Sequence, residues 1–140
     1  MMYGEYGHTV DAKGRMFLPA RFRTELGDTV FLARDIDRCV CIYPAAEWEK
    51  YVAKIKALPL VKTRNATRLL LSTARETEVD AQGRVLIPAY LRDYAGLGRD
   101  VTVIGVGEKA EIWDTAAFDS FKNSVTAEEL EKELLELGLG

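Results

Sequence analysis

The sequence predicts an α+β fold in which two internal repeats build one shared core. The stretch VDAKGRMFLPARFRTELG begins at Val10 and returns at Val79 as VDAQGRVLIPAYLRDYAG, with nine of the 18 aligned positions identical. The pattern of each copy predicts two strands, a short helix and two further strands, over about 45 residues. Folded units below about 60 residues are marginal alone. We therefore expect the two copies to share their apolar interior.

A hairpin is predicted at the start of each repeat. Alternating residues lead into an Asp-Ala-x-Gly turn, and a second short strand, RMFLP or RVLIP, leads out of it. Gly14 and Gly83 reach positive φ at little cost, as a tight turn requires. Asp11 and Asp80 can accept hydrogen bonds from nearby backbone. The sequence therefore predicts structural roles for these four residues, with each aspartate also paired to the arginine four residues later.

A short helix and two strands follow each predicted hairpin. Pro19 suits the first turn of a helix, where a missing N–H costs nothing, and Gly27 suits its C-terminal end. Pro88 and Gly96 repeat this arrangement. The strands that follow are DTVFLAR and RCVCIYP in the first copy, and DVTVIGV and AEIWD in the second.

Further helices are predicted outside the repeated units. Pro44 and Pro59 bracket an amphipathic segment, VKTRNATRLLLSTAR predicts a linker helix, and Thr126 with Glu129 matches a capping box. The predicted organisation is a first repeat at 4–48, a helical linker at 49–73, a second repeat at 74–118 and an acidic C-terminal helix at 119–140.

The charge distribution favours a nucleic-acid partner, although the whole chain carries a net charge of −3. Residues 1–70 hold 12 Lys and Arg against 8 Asp and Glu, whereas residues 71–140 hold 7 against 14. An acidic C-terminal part therefore masks a basic body.

The cations of the basic body concentrate around the first predicted turn. Four of them lie within eleven residues: Lys13, Arg15, Arg21 and Arg23. The second copy keeps Arg84 at the place of Arg15, but Gln82 replaces Lys13 and Tyr90 replaces Arg21. A guanidinium beside a turn can reach phosphates or guanine, and a two-stranded ribbon fits the major groove. The alternative is an ordinary solvated charged surface.

The sequence carries no pattern of an enzyme. No nucleophile or second carboxylate accompanies Asp11 or Asp80, as general acid–base catalysis would require. The glycines of VTVIGVGEKA mimic a dinucleotide fingerprint, but a predicted strand follows them where that fingerprint needs a helix. We therefore expect no catalytic residues, no cofactor and no small-molecule substrate.

Metal and membrane sites are also not expected from the sequence. The chain has one histidine, and Cys39 and Cys41 lie two residues apart, which indicates reduced structural thiols of a cytoplasmic protein. No apolar run reaches the roughly 18 residues of a membrane span, and the N-terminus lacks a signal-peptide pattern.

Four segments together resemble the MraZ family, whose members carry tandem SpoVT/AbrB-type domains. In order over about residues 4–118 they are GEYGHTVDAKGRMFLPARFR, YPAAEWE, VDAQGRVLIPAYLRDYAGL and EIWD. The resemblance implies a pseudo-dimeric, AbrB-like β-barrel of swapped hairpins, each repeat forming one half, with flanking helices. It also implies that subunits assemble into ring-like homo-oligomers.

The same resemblance implies a function. Members of the family are cytoplasmic, nucleoid-associated regulators that bind double-stranded DNA at short direct repeats before the division and cell-wall gene cluster, usually as repressors. Lys13 and Arg15 are implied to contact DNA, and Arg84 sits at the matching place of the second repeat. Two alternatives remain: an oligomeric interaction or antitoxin-like module without a DNA target of its own, and a small β-barrel enzyme.

The acidic C-terminal segment allows two interpretations. Residues 111–140 carry a net charge of −6, which near a DNA-binding face would repel phosphates. Alternatively, Leu130, Leu134 and Leu137 form a stripe that packs on the body of the protein.

Overall fold

The computed structural model describes residues 1–140 and contains eight strands and six helices. The first half of the chain forms β1 (Glu5–Thr9), β2 (Arg15–Phe17), α1 (Ala20–Leu26), β3 (Thr29–Arg34), β4 (Val40–Pro44), α2 (Ala45–Lys56) and α3 (Leu60–Ser72). The second half forms β5 (Arg75–Glu78), β6 (Arg84–Leu86), α4 (Ala89–Ala95), β7 (Asp100–Gly105), β8 (Ala110–Asp114), α5 (Thr115–Ser124) and α6 (Ala127–Glu136).

The strands of the two repeats interleave in one antiparallel sheet of six strands. Its order is β1-β7-β8-β4-β3-β5, and β2 and β6 form a separate two-stranded ribbon. β1 of the first repeat pairs with β7 of the second, with Tyr6 opposite Val103, and β5 of the second repeat pairs with β3 of the first. The arrangement therefore has an approximate twofold symmetry, whose axis runs between β4 and β8.

The predicted hairpins are wrong in their pairing. β1 and β2 are joined by the predicted turn, but they touch as strands only through a single bridge between Val10 and Met16. β2 pairs instead with β6, with Met16 opposite Val85. The physical reason is that Met16 and Val85 both point into the common core. Pairing β2 with β6 therefore buries one side chain from each repeat at the same place.

The predicted barrel is also wrong, because the sheet does not close. β1 and β5 form opposite edges of the sheet and are not hydrogen-bonded to each other. Closure needs an unbroken ladder of strands. Here β2 and β6 are only three residues long and leave the six-stranded ladder to pair with each other.

One apolar core lies between the sheet, the ribbon and the short helices α1 and α4. The first half of the chain contributes Met2, Val10, Met16, Leu18, Phe22, Leu26, Val30, Leu32, Val40 and Ile42. The second half contributes Val85, Ile87, Leu91, Ala95, Val101, Val103, Ala110 and Ile112. The prediction that the two copies share a core is therefore confirmed.

A second, aromatic layer covers the other face of the sheet. Side chains alternate along a strand, so Val40 and Ile42 of β4 face the main core while Cys41 and Tyr43 face this layer. α2 contributes Trp48 and α5 contributes Phe118.

The C-terminal helix α6 stands away from both layers. Its predicted cap is confirmed, because the Thr126 hydroxyl accepts a hydrogen bond from the Glu129 N–H at 3.1 Å. Leu130, Leu134 and Leu137 are nevertheless all exposed, Leu137 to 71%. The interpretation that this stripe is buried against the body is therefore wrong, because the three leucines keep between 36% and 71% of their surface exposed. None of the helices is both long and apolar enough to cross a membrane.

We predict that Gly14→Ala lowers the free energy of unfolding by about 1–3 kcal/mol. Gly14 has φ of +87°, and a Cβ there would lie 3.0 Å from the Ile87 carbonyl oxygen. Gly7→Ala is the matched control, because a Cβ there meets no atom within 4 Å. Urea unfolding of both variants tests this, and equal midpoints for the two would contradict it.

Candidate nucleic-acid interface

The first turn is organised by the carboxylate of Asp11. One oxygen, Oδ1, accepts the backbone N–H groups of Lys13 and Arg15, both at 2.9 Å. The other, Oδ2, accepts the Nε–H of Arg15 at 2.9 Å. Asp11 thus accepts three hydrogen bonds within the turn, and the arginine side chain is fixed at its Nε.

The second turn repeats this geometry bond for bond. Asp80 Oδ1 accepts the N–H groups of Gln82 and Arg84 at 3.0 and 2.8 Å, and Oδ2 accepts Arg84 Nε–H at 2.8 Å. The turn glycine, Gly83, has φ of +86°, which a residue with a Cβ rarely adopts. In both turns, therefore, a glycine occupies the positive-φ position and an aspartate accepts the backbone N–H groups.

Each turn is completed by the opposite repeat. The Leu18 N–H donates to the Gly83 carbonyl at 3.0 Å, and the Ile87 N–H donates to the Gly14 carbonyl at 2.8 Å. These bonds extend the short ribbon at both ends. They fix the two turns relative to each other although 69 residues separate them in sequence.

The ribbon brings both motif arginines to one face. Arg15 pairs opposite Leu86, and Arg84 pairs opposite Phe17, while the alternate residues Met16 and Val85 are buried. Arg15 and Arg84 are therefore diagonal neighbours, with Cα atoms about 7–8 Å apart. Phe17 and Leu86, each about half exposed, lie on the same outward face.

The guanidinium groups of this face keep free donors. Asp11 and Asp80 bind only Nε, so the terminal Nη groups of Arg15 and Arg84 have no hydrogen-bond partner in the chain. The Arg84 guanidinium is the more covered: its side chain is 21% exposed against 34% for Arg15, and its Cζ lies 5.8 Å from the Phe17 ring. Both can present two parallel N–H groups to an acceptor.

Lys13 and Arg21 are exposed cations without a salt bridge or side-chain hydrogen bond. Lys13 lies at the tip of the first turn and Arg21 in the first turn of α1. At the corresponding places of the second repeat, Gln82 is neutral, and Tyr90 donates its hydroxyl to the Thr73 carbonyl at 3.1 Å. The end of the ribbon that carries Lys13 is therefore the more basic.

Arg23 lies against the turn of the other repeat. A Cβ at Gly83 would lie 2.3 Å from Arg23 Cζ, so only glycine leaves room for that guanidinium. Sequence reasoning missed the mirror-image residue, Arg92, which packs over Gly14 and donates its Nε–H to the Ile87 carbonyl at 3.0 Å. The identity of Arg23 and Arg92 in the aligned copies was the signal that could have found it.

The aspartates of the turns are not suited to proton transfer. The backbone N–H of Arg15 is the main cause that lowers the pKa of Asp11 below its ordinary value of 3.8, and the N–H of Arg84 does the same for Asp80. Both carboxylates are therefore ionised near neutral pH, where they hold the arginines in place.

Comparison with known proteins defines the class of the chain. A protein of Thermoanaerobacter pseudethanolicus is 45% identical over 99% of this chain and 100% of its own length, and one of Acetivibrio thermocellus is 41% identical over the same shares. A protein of Carboxydothermus hydrogenoformans is 45% identical over 91% of this chain and 90% of its own. All three are named Transcriptional regulator MraZ, so the chain falls among transcriptional regulators and not among enzymes.

The family follows from the repeats themselves. The model of the family described as MraZ protein matches residues 1–71 and matches again over residues 70–136. The chain belongs to the MraZ family and carries two copies of its domain.

We predict that the hydrogen bonds and ion pairs of Asp11 and Asp80 make the free energy of unfolding depend on pH in the acid range. Their folded-state pKa values are lowered, so their stabilisation is complete above pH 3.8 and is lost as pH falls through the lower folded values. The double variant Asp11→Asn, Asp80→Asn should be less stable at neutral pH, and its stability should fall less than that of wild type on acidification. Denaturant unfolding at several pH values measures this. The exposed-acid control Glu49→Gln should keep the wild-type pH dependence, and an equally steep curve in the double variant would contradict the assignment.

Proposed function

We propose that the protein is a sequence-specific regulator that binds double-stranded DNA through the outward face of the β2–β6 ribbon. The observation that carries this proposal is the pair of interlocked turns, which hold Arg15 and Arg84 on one ribbon with free Nη groups. A two-stranded ribbon fits the major groove, about 12 Å wide, and arginine binds guanine O6 and N7 in a bidentate manner. Because Nε is already held, little side-chain freedom is lost on contact.

The side chains around the ribbon contribute to DNA binding in different ways. Arg15 reads base edges, and the exposed cations Lys13 and Arg21 bind phosphates, which gives affinity without sequence preference. Arg23 covers Gly83 and adds positive charge beside the second turn. Arg84 contributes less, since Gln82 replaces a lysine and Phe17 covers part of its guanidinium.

The target and the sign of regulation are proposed from the resemblance to MraZ proteins. We place the protein in the cytoplasm, associated with the nucleoid, as a repressor of the division and cell-wall gene cluster acting at short direct repeats. The names of its relatives, all transcriptional regulators, support a role in transcription.

Assembly into a ring-like homo-oligomer is proposed from two uncovered surfaces of opposite charge. α6 holds Glu128, Glu129, Glu131, Glu133 and Glu136 against a single Lys132, beside exposed Leu130 and Leu134. α3 holds Lys62, Arg64 and Arg68 with no acid, beside exposed Leu60 and Val61. Docking of α6 on α3 of the next copy is a head-to-tail contact, which produces a ring when the rotation from copy to copy closes.

A ring also suits tandem operators. Several ribbons in one assembly can engage successive direct repeats, so that each contact after the first is intramolecular.

The alternative function is a protein-interaction module without a DNA target. The uncovered apolar face of α6 favours it, and the description of the family as antitoxin-like is consistent with it. Such a protein would bind a partner chain through α6, and its ribbon would have no preference for DNA sequence.

We predict that Arg15→Ala weakens binding to DNA from upstream of the protein's own gene by about 1–3 kcal/mol per site, or roughly 5–150-fold. Fluorescence anisotropy with this duplex and a shuffled duplex measures the loss and separates specific from non-specific affinity. Arg84→Ala should cost less affinity. Lys54→Ala removes an exposed cation from α2, on the other face of the sheet, and should bind as wild type does.

Two outcomes would count against these roles. If folded Arg15→Ala binds its operator as tightly as wild type does, the ribbon is not the reading surface. If wild type binds the upstream and shuffled duplexes equally at physiological salt, the interaction-module alternative gains support.

We predict that charge reversal on α3 disrupts assembly and that the matching reversal on α6 restores it. The double variant Arg64→Glu, Arg68→Glu should lower the mass measured by sedimentation velocity, because the two introduced carboxylates would face the acidic residues of α6 and repel them. Adding Glu129→Lys and Glu133→Lys, with the same four-residue spacing, should recover the wild-type mass. An unchanged mass in the first variant would rule out docking between these helices.

A further inference from the structure

A cluster of metal-binding side chains lies on the aromatic face of the sheet, far from any role in the proposed function. Asp35, Cys39, Cys41 and Glu111 place their ligand atoms within 4.8 Å of one another. Three come from the first repeat, and Glu111 comes from the second because β4 and β8 pair with Cys41 opposite Glu111. Both cysteines are free thiols.

The cluster is enclosed. Cys39 and Cys41 have no exposed surface, and the side chains of Glu111 and Asp35 are only 14% and 26% exposed. Two largely buried carboxylates need a balancing positive charge, because charge is costly to bury unpaired.

A cation already lies among the four residues. Lys109 Nζ is 3.3 Å from Asp35 Oδ2, 3.4 Å from Cys41 Sγ and 4.0 Å from Glu111 Oε2. The Cys41 thiol also contacts Asp35 Oδ2 at 3.3 Å. The arrangement is therefore suited to hold positive charge, and Lys109 supplies it in the absence of another cation.

We propose that Asp35, Cys39, Cys41 and Glu111 form a binding site for a thiophilic divalent metal ion of the zinc type, which displaces the Lys109 ammonium. Two thiolates with two carboxylates complete a four-coordinate shell, and thiolates favour zinc over magnesium or calcium. In a tetrahedral shell with metal–ligand distances of about 2.0–2.3 Å, ligand atoms lie roughly 3.3–3.8 Å apart. From the 4.8 Å limit, the ligand atoms must therefore approach one another by at most about 1.0–1.5 Å.

Protons and charges balance on binding. Each thiol releases its proton to solvent, and the two carboxylates bind in their ionised form. The divalent ion replaces the two thiol protons, so the ion with its four ligands keeps the net charge of −2 that the two carboxylates carry before binding. The bound ion would tie the segment between β3 and β4 to β8, and so join the two repeats.

Cobalt(II) provides the test, because cobalt with thiolate ligands in a tetrahedral site has diagnostic charge-transfer and visible absorption. The reduced full-length protein should bind one Co²⁺ with these bands, and Zn²⁺ should remove them. Lys109→Met deletes the competing ammonium and should tighten cobalt binding by about tenfold or more. Glu111→Gln and Cys41→Ala should each weaken it by about tenfold or more.

Two results would overturn the proposal. The first is the absence of thiolate–cobalt absorption in both wild type and Lys109→Met at saturating cobalt. The second is cobalt binding that Glu111→Gln and Cys41→Ala leave unchanged, which would put the ion elsewhere. Circular dichroism shows whether each variant is folded. Because Lys109→Met keeps all four ligands, its cobalt binding tests the proposal even if Cys41→Ala does not fold.

Discussion

The exchange of hydrogen bonds between the two turns is the constraint on which the rest of this structure depends. The Leu18 N–H reaches the Gly83 carbonyl, and the Ile87 N–H reaches the Gly14 carbonyl. Through these bonds the first repeat completes the second turn and the second repeat completes the first. The ribbon, the burial of Met16 and Val85 and the common face of the arginines all follow from this exchange.

Interlocking explains how two similar copies can diverge without losing the fold. Arg23 and Arg92 each pack on the turn glycine of the opposite repeat, so the scaffold stays nearly symmetric. The exposed positions around this scaffold can differ between the copies. Lys13 faces solvent in the first copy, and Gln82 faces solvent at the matching position of the second. Beside the axis between β4 and β8, Cys41 of one repeat likewise lies opposite Glu111 of the other. The duplicated fold thus supports a cationic ribbon on one face and a mixed thiol and carboxylate cluster on the other.

Much of this organisation could be predicted from the sequence, because it rests on local rules or on the repeat. The Asp-Ala-x-Gly turns, the helix ends at Gly27 and Gly96 and the cap at Thr126 are each determined within a few residues. Strand partners are different: alternation in β1 shows which side chains face inward, but it does not distinguish β2 from β7 as the neighbour. The barrel was implied by the resemblance to the family, and it was wrong because β2 and β6 pair with each other and leave the six-stranded sheet open.

Contacts between segments that are distant in the chain also could not be predicted from the sequence. Arg92 gains its role only because Gly14 is brought to it, and Asp35 meets Glu111 only through the pairing of β4 with β8. The leucine pattern of α6 predicted an apolar face correctly but not whether the chain itself covers it.

The most direct test of the central claim is to separate the repeats. Residues 1–73 and 74–140 would be produced as two chains, and the folding of each, and of their equimolar mixture, followed by circular dichroism and sedimentation. If each repeat supplies the partner strands of the other, neither chain folds as a monomer, and mixing them restores a cooperative, 1:1 folded complex. A fragment of residues 1–73 that folds cooperatively as a monomer, with native-like strand content, would contradict the account.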